Sequence, residues 1–365
     1  MKILRTKLAR YLRHVIAIFR WNARALARGI RNDEVSGRRL LVVYDLSSQP
    51  FSIGDVLMFQ EASLVLKKKY DIGQIDFALT YEATNPVVAD PAFSAIKPDN
   101  FLSNLSAVLQ AAQVNPFLGS VILFDSHEKF EQFVLRHIDL YEVWPTLPLY
   151  IDREYLYYHI FNELLFDHYQ KYGGVPRIAS RPLARAWADN FLKQKAEEEV
   201  VVTVQLRRND VNPGRNSNFD CWHAFFRICQ DRYPVKFVII GFHHEIDVSF
   251  DDLPNVIIAK QFFTNVEQDL ALIEAGAMHM GASSGPGVMA IFNSKPYCFF
   301  NTDMRVNLYK GLIQEEKASR MYFATPQQRF VHEPEDIETL IFEFERMWHA
   351  FRDREDAKSP QSVGV

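Results

Sequence analysis

The chain opens with a helical periodicity. At 100° per residue Leu4, Leu8, Tyr11, Leu12, Val15, Ile18, Phe19 and Leu26 fall on one side of a helix. Lys2, Arg10, Arg13, Arg20, Arg24 and Arg28 fall on the other. The pattern then changes to short apolar runs. Arg39–Tyr44 (RLLVVY), Gln74–Tyr81 and Ser120–Phe124 read as buried strands, and helices are predicted over Asp55–Tyr70, Asn100–Gln113 and Glu128–Arg136. Asp45–Ile53, the Pro-rich stretch Asn85–Pro98 and Val143–Pro148 read as loops. Tyr150–Tyr172 is an aromatic-rich helix broken by Gly173, Gly174 and Pro176, and Leu183–Gln194 is a further helix. A second alternation follows. Its strands are Val200–Leu206 (VVVTVQL), Lys236–Gly241, Val256–Ile258, Ala277–Gly281 and Tyr297–Phe300, the last of the series. Its helices are Asp220–Tyr233, Val266–Ala275 and one starting at Gly287. Pro334–Phe351 is a long amphipathic helix with Ile337, Leu340, Ile341, Phe344 and Met347 inward.

Strands that alternate with helices imply a parallel sheet covered on both faces. Two such series predict an α/β protein of two Rossmann-like domains facing each other across a cleft, preceded by an amphipathic N-terminal helix. The expected divisions are a basic arm at 1–35, a first domain at 36–180 and a second at 181–333. A C-terminal helix at 334–352 and a flexible tail at 353–365 complete the chain. Its 365 residues exceed what one core usually serves. A ligand site is expected in the cleft, outside the carboxyl ends of the strands.

Charge sharpens this division. The formal net charge is −4, with 41 basic and 45 acidic residues. Residues 1–35 hold nine basic and two acidic residues, a net +7; the rest holds 32 basic and 43 acidic, a net −11. An acidic body does not suit general nucleic-acid binding, since phosphate-neutralising charge would sit on the arm alone. The arm has the pattern of a helix lying in a membrane interface, cations toward anionic headgroups. Docking on the protein's own body and an organelle-targeting role fit the same pattern. No apolar run reaches transmembrane length, and Arg13 and Arg20 bracket an apolar stretch too short for a secretory signal. Cys221, Cys229 and Cys298 lack metal-ligand spacing and cannot build a disulfide framework, which favours a reducing compartment.

Four constellations carry candidate chemistry. Gly281-Ala-Ser-Ser-Gly285-Pro-Gly287 follows a strand and opens a helix, where small residues let backbone N–H groups approach a phosphate or diphosphate. Its spacing is neither a Walker A loop nor G-x-G-x-x-G. Arg207-Arg208-Asn209-Asp210 follows the strongest strand, and guanidinium forks match phosphate oxygens. Neighbouring side chains diverge, so one arginine is expected to meet ligand and the other to pair with Asp210 or another acid. In Ser52-Ile53-Gly54-Asp55 the aspartate either caps its helix or serves as general base toward an acceptor hydroxyl, with Asp45 and Asp125 as rivals. Gly241-Phe-His-His-Glu245 ends another strand. Gly241 and His243 are candidates for polar contact with a nucleotide, a plain loop being the alternative, and no third metal ligand joins His243 and His244. Phe262 and Phe263 either flank a base or belong to the core.

The Ser-x-Gly-Asp turn resembles GT-B glycosyltransferases, as does the late block Asp269-Leu-Ala-Leu-Ile273, Gly281-Ala-Ser-Ser-Gly-Pro286, Lys295-Pro296. Within that fold the likeness is to the bacterial heptosyltransferase-like group. Val202–Asp210 (VTVQLRRND) looks like the Arg-Arg strand end of fucosyltransferases of the same fold. The resemblance implies that Gly54 and Asp55 lie near the acceptor, and that Ser283, Ser284 and Gly285 hold the donor diphosphate. It also implies that Arg207 or Arg208 contacts that diphosphate. It further implies a C-terminal helix crossing back onto the first domain, and no bound metal or other cofactor, protein cations stabilising the leaving group instead. The expected activity is transfer of a sugar from a nucleotide-sugar donor to a glycan or lipid-linked acceptor in surface polysaccharide biosynthesis. The expected location is cytoplasmic, peripheral on the inner face of the membrane through residues 1–31. An epimerase or hydrolase of the same fold and a non-catalytic glycan- or nucleotide-binding protein are the alternatives.

Overall fold

The computed structural model describes residues 38–83 except 47, 48 and 50, and 101–145 except 138. It also describes 158–208, 213–302 and 311–358, with four isolated positions in the arm. The amphipathic reading of residues 1–35 lies outside the described residues, as do Asn209, Asp210 and the chain beyond 358.

The first domain runs β1 (Arg39–Asp45), α1 (Ile53–Tyr70), β2 (Gln74–Thr80), α2 (Phe101–Ala111), β3 (Leu118–Phe124), α3 (His127–Arg136) and β4 (Tyr141–Trp144). These strands form a sheet in the order β3-β2-β1-β4, and every pairing is parallel. Strand β4 falls where a loop was expected. It has four residues with Glu142 among them, so no apolar run announces it, and it is defined by its pairing with β1 from Arg39↔Tyr141 onward. Helix α1 is buried at every position from Ile53 to Leu66. Over that stretch it has no solvent face, and its polar residues there need internal partners. Asn115 Nδ2 donates to Gln60 Oε1 at 2.8 Å and Ser63 Oγ at 2.9 Å.

At the amino edge of the sheet Arg39 donates through Nε and Nη2 to the two oxygens of buried Asp76, each at 2.5 Å. The Tyr141 hydroxyl donates to Asp76 at 2.8 Å, and burial with this bond pushes the phenol up to about 12. One carboxylate thus ties the starts of β1, β2 and β4.

The chain leaves through α4 (Tyr158–Tyr172) and enters α5 (Pro182–Lys195). The second domain contains β5 (Val200–Gln205), α6 (Phe219–Arg232), β6 (Val235–Ile240), β7 (Val256–Ile258), α7 (Val266–Ala275), β8 (Met278–Ala282) and α8 (Val288–Ile291). It continues with β9 (Tyr297–Phe300), β10 (Ile313–Gln314), β11 (Ala318–Arg320), β12 (Gln328–Val331) and α9 (Ile337–Lys358). Sheet order is β10-β11-β12-β9-β8-β5-β6-β7. Strands β7 to β12 through β9 run parallel, and β11 and β10 are antiparallel additions. Tyr297–Phe300 is therefore not the last strand. The later three are short, and two of them, Ile-Gln and Ala-Ser-Arg, carry no apolar run.

Helix α8 is a single turn, shorter than the helix expected after Gly287. Helix α9 extends to Lys358, beyond the expected division at 352. Its described apolar residues pack on the second domain. Leu340, Phe344, Met347 and Trp348 belong to the second domain's core with Trp222, Phe225 and Phe237. Another apolar cluster joins the domains, holding Leu40 and Phe59 together with Leu272, Val288 and Tyr297. Replacing Asp76 with Ala strands the Arg39 guanidinium and should cost about 3 kcal/mol in urea unfolding, against about 1 kcal/mol for Tyr141→Phe.

Candidate active site

In each sheet the chain builds outward from the first strand and then returns to its other side. The switch points are β5/β8 in the second domain and β1/β4 in the first. Ligands of open α/β sheets bind outside the carboxyl ends at such points. The β5–β8 register pairs Gln205 with Gly281. Arg207 and Ser283 therefore both lie two residues beyond that pair, at one level. Gly281 has φ +144°, and a Cβ there would meet the Gln205 carbonyl oxygen at 2.0 Å, so only glycine lets the strands approach this closely.

The two arginines have different surroundings. Arg208 donates to Asp247 at 3.0 Å and its guanidinium stacks on Phe219 at 4.1 Å. The Asp247 carboxyl is held below the usual carboxylate range, first by backbone and side-chain bonds from Ser249 and Arg208. Arg207 is only half-exposed, and its Nε makes no hydrogen bond to any described residue. Its backbone is fixed by reciprocal bonds with Ser217, N–H to Oγ at 3.1 Å and carbonyl to Ser217 N–H at 2.9 Å. Burial lowers its pKa, and the charge of Glu245 opposes that.

Glu245 is the acid that the Gly241–Glu245 motif contributes, a role sequence reasoning missed by attending to the histidines. It is buried, and burial raises its carboxyl against the opposing charges of His244 and Arg207. Gly241 (φ +127°) lies directly over it, a Cβ there falling 3.7 Å from Glu245 Oε2. His243 and His244 are exposed on a 3-10 turn. Phe262 and Phe263 are exposed as well, Phe263 by 89%, so the core alternative for them is wrong.

At β8 the Ser284 hydroxyl is buried and makes no hydrogen bond among the described residues. Arg215 was not singled out from sequence, where it is one more cation in a loop. Its Nη2 donates to the Ser283 carbonyl. Buried Glu335 pins the same loop. It accepts from Asn218 N–H at 2.5 Å, Trp222 Nε1 at 2.7 Å and Asn301 Nδ2 at 3.0 Å. Because α8 has one turn, no long helix dipole reaches Ser284; local N–H groups and arginines supply the positive potential.

The first domain meets this turn directly. A Cβ on Gly54 would fall 2.9 Å from Gly285 Cα, and one on Gly285 would fall 2.9 Å from the Gly54 nitrogen. Asp55, 5% exposed, follows Gly54 in the first turn of α1. Its rivals are placed differently. Asp125 is exposed and paired with Lys129 at 2.7 Å, which lowers its pKa. Asp45 is buried and lies 3.0 Å from His127 Nε2, while His127 Nδ1 lies 3.0 Å from Glu82. Among the described residues no group of three His, Cys, Asp or Glu side chains is arranged to hold a metal ion.

Comparison with known structures decides the architecture. Heptosyltransferase II of E. coli, an ADP-heptose enzyme, superimposes with a TM-score of 0.50 at 12% identity, covering 87% of this chain and 99% of its own. The glycosyl transferase family 9 protein of Veillonella parvula gives a TM-score of 0.51 at 12% identity, with the same coverage of 87% and 99%. The chain has the GT-B fold. No family model matches it, and no curated protein does.

Two substitutions probe this geometry. Arg207→Ala, which removes the guanidinium with a spare Nε–H, should weaken binding of added inorganic pyrophosphate by about tenfold or more in titration calorimetry, while Arg208→Ala changes it less than about threefold. Gly54→Ala must displace the Gly285 backbone, and should cost about 1–3 kcal/mol in thermal unfolding.

Proposed function

We propose that the protein is a glycosyltransferase that moves a sugar from a nucleotide-sugar donor to a glycan or lipid-linked acceptor. The observation that carries this is local. Two polar groups of different strands, Arg207 Nε and Ser284 Oγ, have no partner among the described residues. Both belong to the turns that leave the β5/β8 switch point. The GT-B fold supports the reading, since its two facing domains offer separate donor and acceptor walls.

Chemically, breaking the sugar–phosphate bond leaves negative charge on a diphosphate. Preorganised cations and donors at that position stabilise the charge as it forms. Arg207 and the Ser283–Gly285 turn, steadied by Arg215, fill this role without needing a metal. Asp55 takes the proton of the acceptor hydroxyl as it attacks the anomeric carbon in one inverting displacement. The acceptor then sits on the first-domain side of the Gly54–Gly285 contact. The cationic arm holds the enzyme on the inner face of a membrane, where a lipid-linked acceptor of surface polysaccharide synthesis is presented. Among the described residues no helix is long and apolar enough to cross a membrane.

An epimerase or hydrolase would turn over the donor alone, so donor consumption that requires acceptor separates the readings. Asp55→Asn should lower transfer by a factor of about 10²–10⁴ and leave nucleoside diphosphate affinity within about twofold. Full activity in this variant, measured as labelled sugar transferred, would remove Asp55 from the mechanism.

A further inference from the structure

The body is acidic overall, yet one pole of the first domain is not. Helix α1 ends in Lys67, Lys68 and Lys69, and around it lie Lys171 from the end of α4, Arg177 and Arg38. Among the described residues lining the two grooves the acids are Asp71 and Glu142, and Glu142 already pairs with Arg38 at 3.6 Å. Three aromatic side chains stand exposed among these cations: Tyr70 by 40%, Phe117 by 45% and Tyr172 by 44%. They are interleaved with the lysines. Lys67 Nζ lies 3.9 Å over the Phe117 ring and Lys68 Nζ 3.5 Å over the Tyr172 ring. Two adjoining grooves run across this pole, of about 980 and 550 Å³, sharing Asp71 and Phe117. His168 borders the smaller groove, and its pKa is lowered first by burial and then by the charges of Lys68 and Lys171.

We propose that this pole, centred on Lys67–Lys69, Lys171, Phe117 and Tyr172, docks on an anionic phospholipid surface. Ammonium groups set over exposed aromatic rings suit the headgroup boundary, where amphipathic rings lie at the interface and the cations beside them meet lipid phosphates. The covalent position of the arm agrees. Residues 1–37 join the body at Arg38, which itself lines the larger groove. The arm is a poor occupant for that groove, because its net charge of +7 meets a surface of the same sign. A surface that attracts both is negative. This deepens the membrane reading of the arm, because it adds a second contact on the folded body, and it needs its own test.

The test is co-sedimentation of the full-length chain with phosphatidylcholine vesicles, with and without phosphatidylglycerol. One variant carries Lys67→Ser, Lys68→Ser, Lys69→Ser and Lys171→Ser; a second carries Arg10→Ser, Arg13→Ser, Arg20→Ser and Arg24→Ser; a third replaces the four lysines with Arg. The pole variant should lose binding to anionic vesicles by about fivefold per cation removed, and the Arg variant should retain it. Thermal unfolding midpoints near that of the parent chain show that the fold is kept. Parent-like vesicle binding by the pole variant, with loss confined to the arm variant, overturns the docking pole and leaves the arm reading standing. No binding of the parent chain to anionic vesicles overturns both. Cross-links from Lys2 or Lys7 to Lys67–Lys69 in lipid-free protein assign the groove to the arm. Binding of a single-stranded RNA in preference to vesicles assigns it to nucleic acid. Either result overturns the proposal.

Discussion

At the cleft the two domains touch backbone to backbone. Gly54 and Gly285 approach so closely that a Cβ on either would penetrate the other's backbone. Everything assigned to the cleft depends on that approach. It places the first turn of α1, with Asp55, beside the turn that carries Ser283 and Ser284. Contacts farther out hold the same arrangement. The Val266 N–H at the start of α7 donates across the domains to Gln110 Oε1 at 2.9 Å. At the other end of α7, half-buried Lys295 donates to the last carbonyls of the helix, Ala275 O among them at 3.0 Å. Burial lowers this lysine to about 8. Lys295 of the late Lys-Pro pair is thus a helix cap, which satisfies carbonyls that would otherwise be orphaned.

The electrostatics of the cleft follow from which charges are already committed. Arg208 is held by an acid and a ring, so moving it to a ligand would break both contacts. Arg207 faces a buried carboxyl that its own charge and that of His244 draw toward ionisation against the effect of burial. A guanidinium with a spare N–H in a half-buried place gains more from a diphosphate than an exposed one, because less water competes for it. The same logic separates the aspartates. Asp125 already has an ammonium partner in solvent, and Asp45, at the carboxyl end of β1, is engaged with His127.

Sequence revealed most where burial is one-sided in its demands. Val200–Leu206 is apolar or β-branched at nearly every position because both faces of β5 are covered, and the register with β6 and β8 follows from it. The glycine-rich turn was legible because only small residues tolerate such approach. Strands β4, β10 and β11 were not legible, because each is defined by a neighbour's hydrogen bonds and lacks an apolar run of its own. The different surroundings of Arg207 and Arg208 could be anticipated only in kind. It is decided by Asp247 and Phe219, which the fold brings in from distant positions. Glu245 and Arg215 were missed for one reason: a charged residue in a loop gives no sign of its burial until the loop closes over it.

Helix α1 has one more implication, as a ruler. It starts at the cleft with Asp55 and ends at the opposite edge of the sheet with Lys67–Lys69, without a break. Thirteen residues separate Asp55 from Lys68, which corresponds to about 20 Å of helical rise. A group held beside Asp55 therefore stands about 20 Å along the helix axis from the lysine end, and the buried helix fixes that spacing. The separation between the cleft and the cationic pole is thus set by one continuous helix and not by loops.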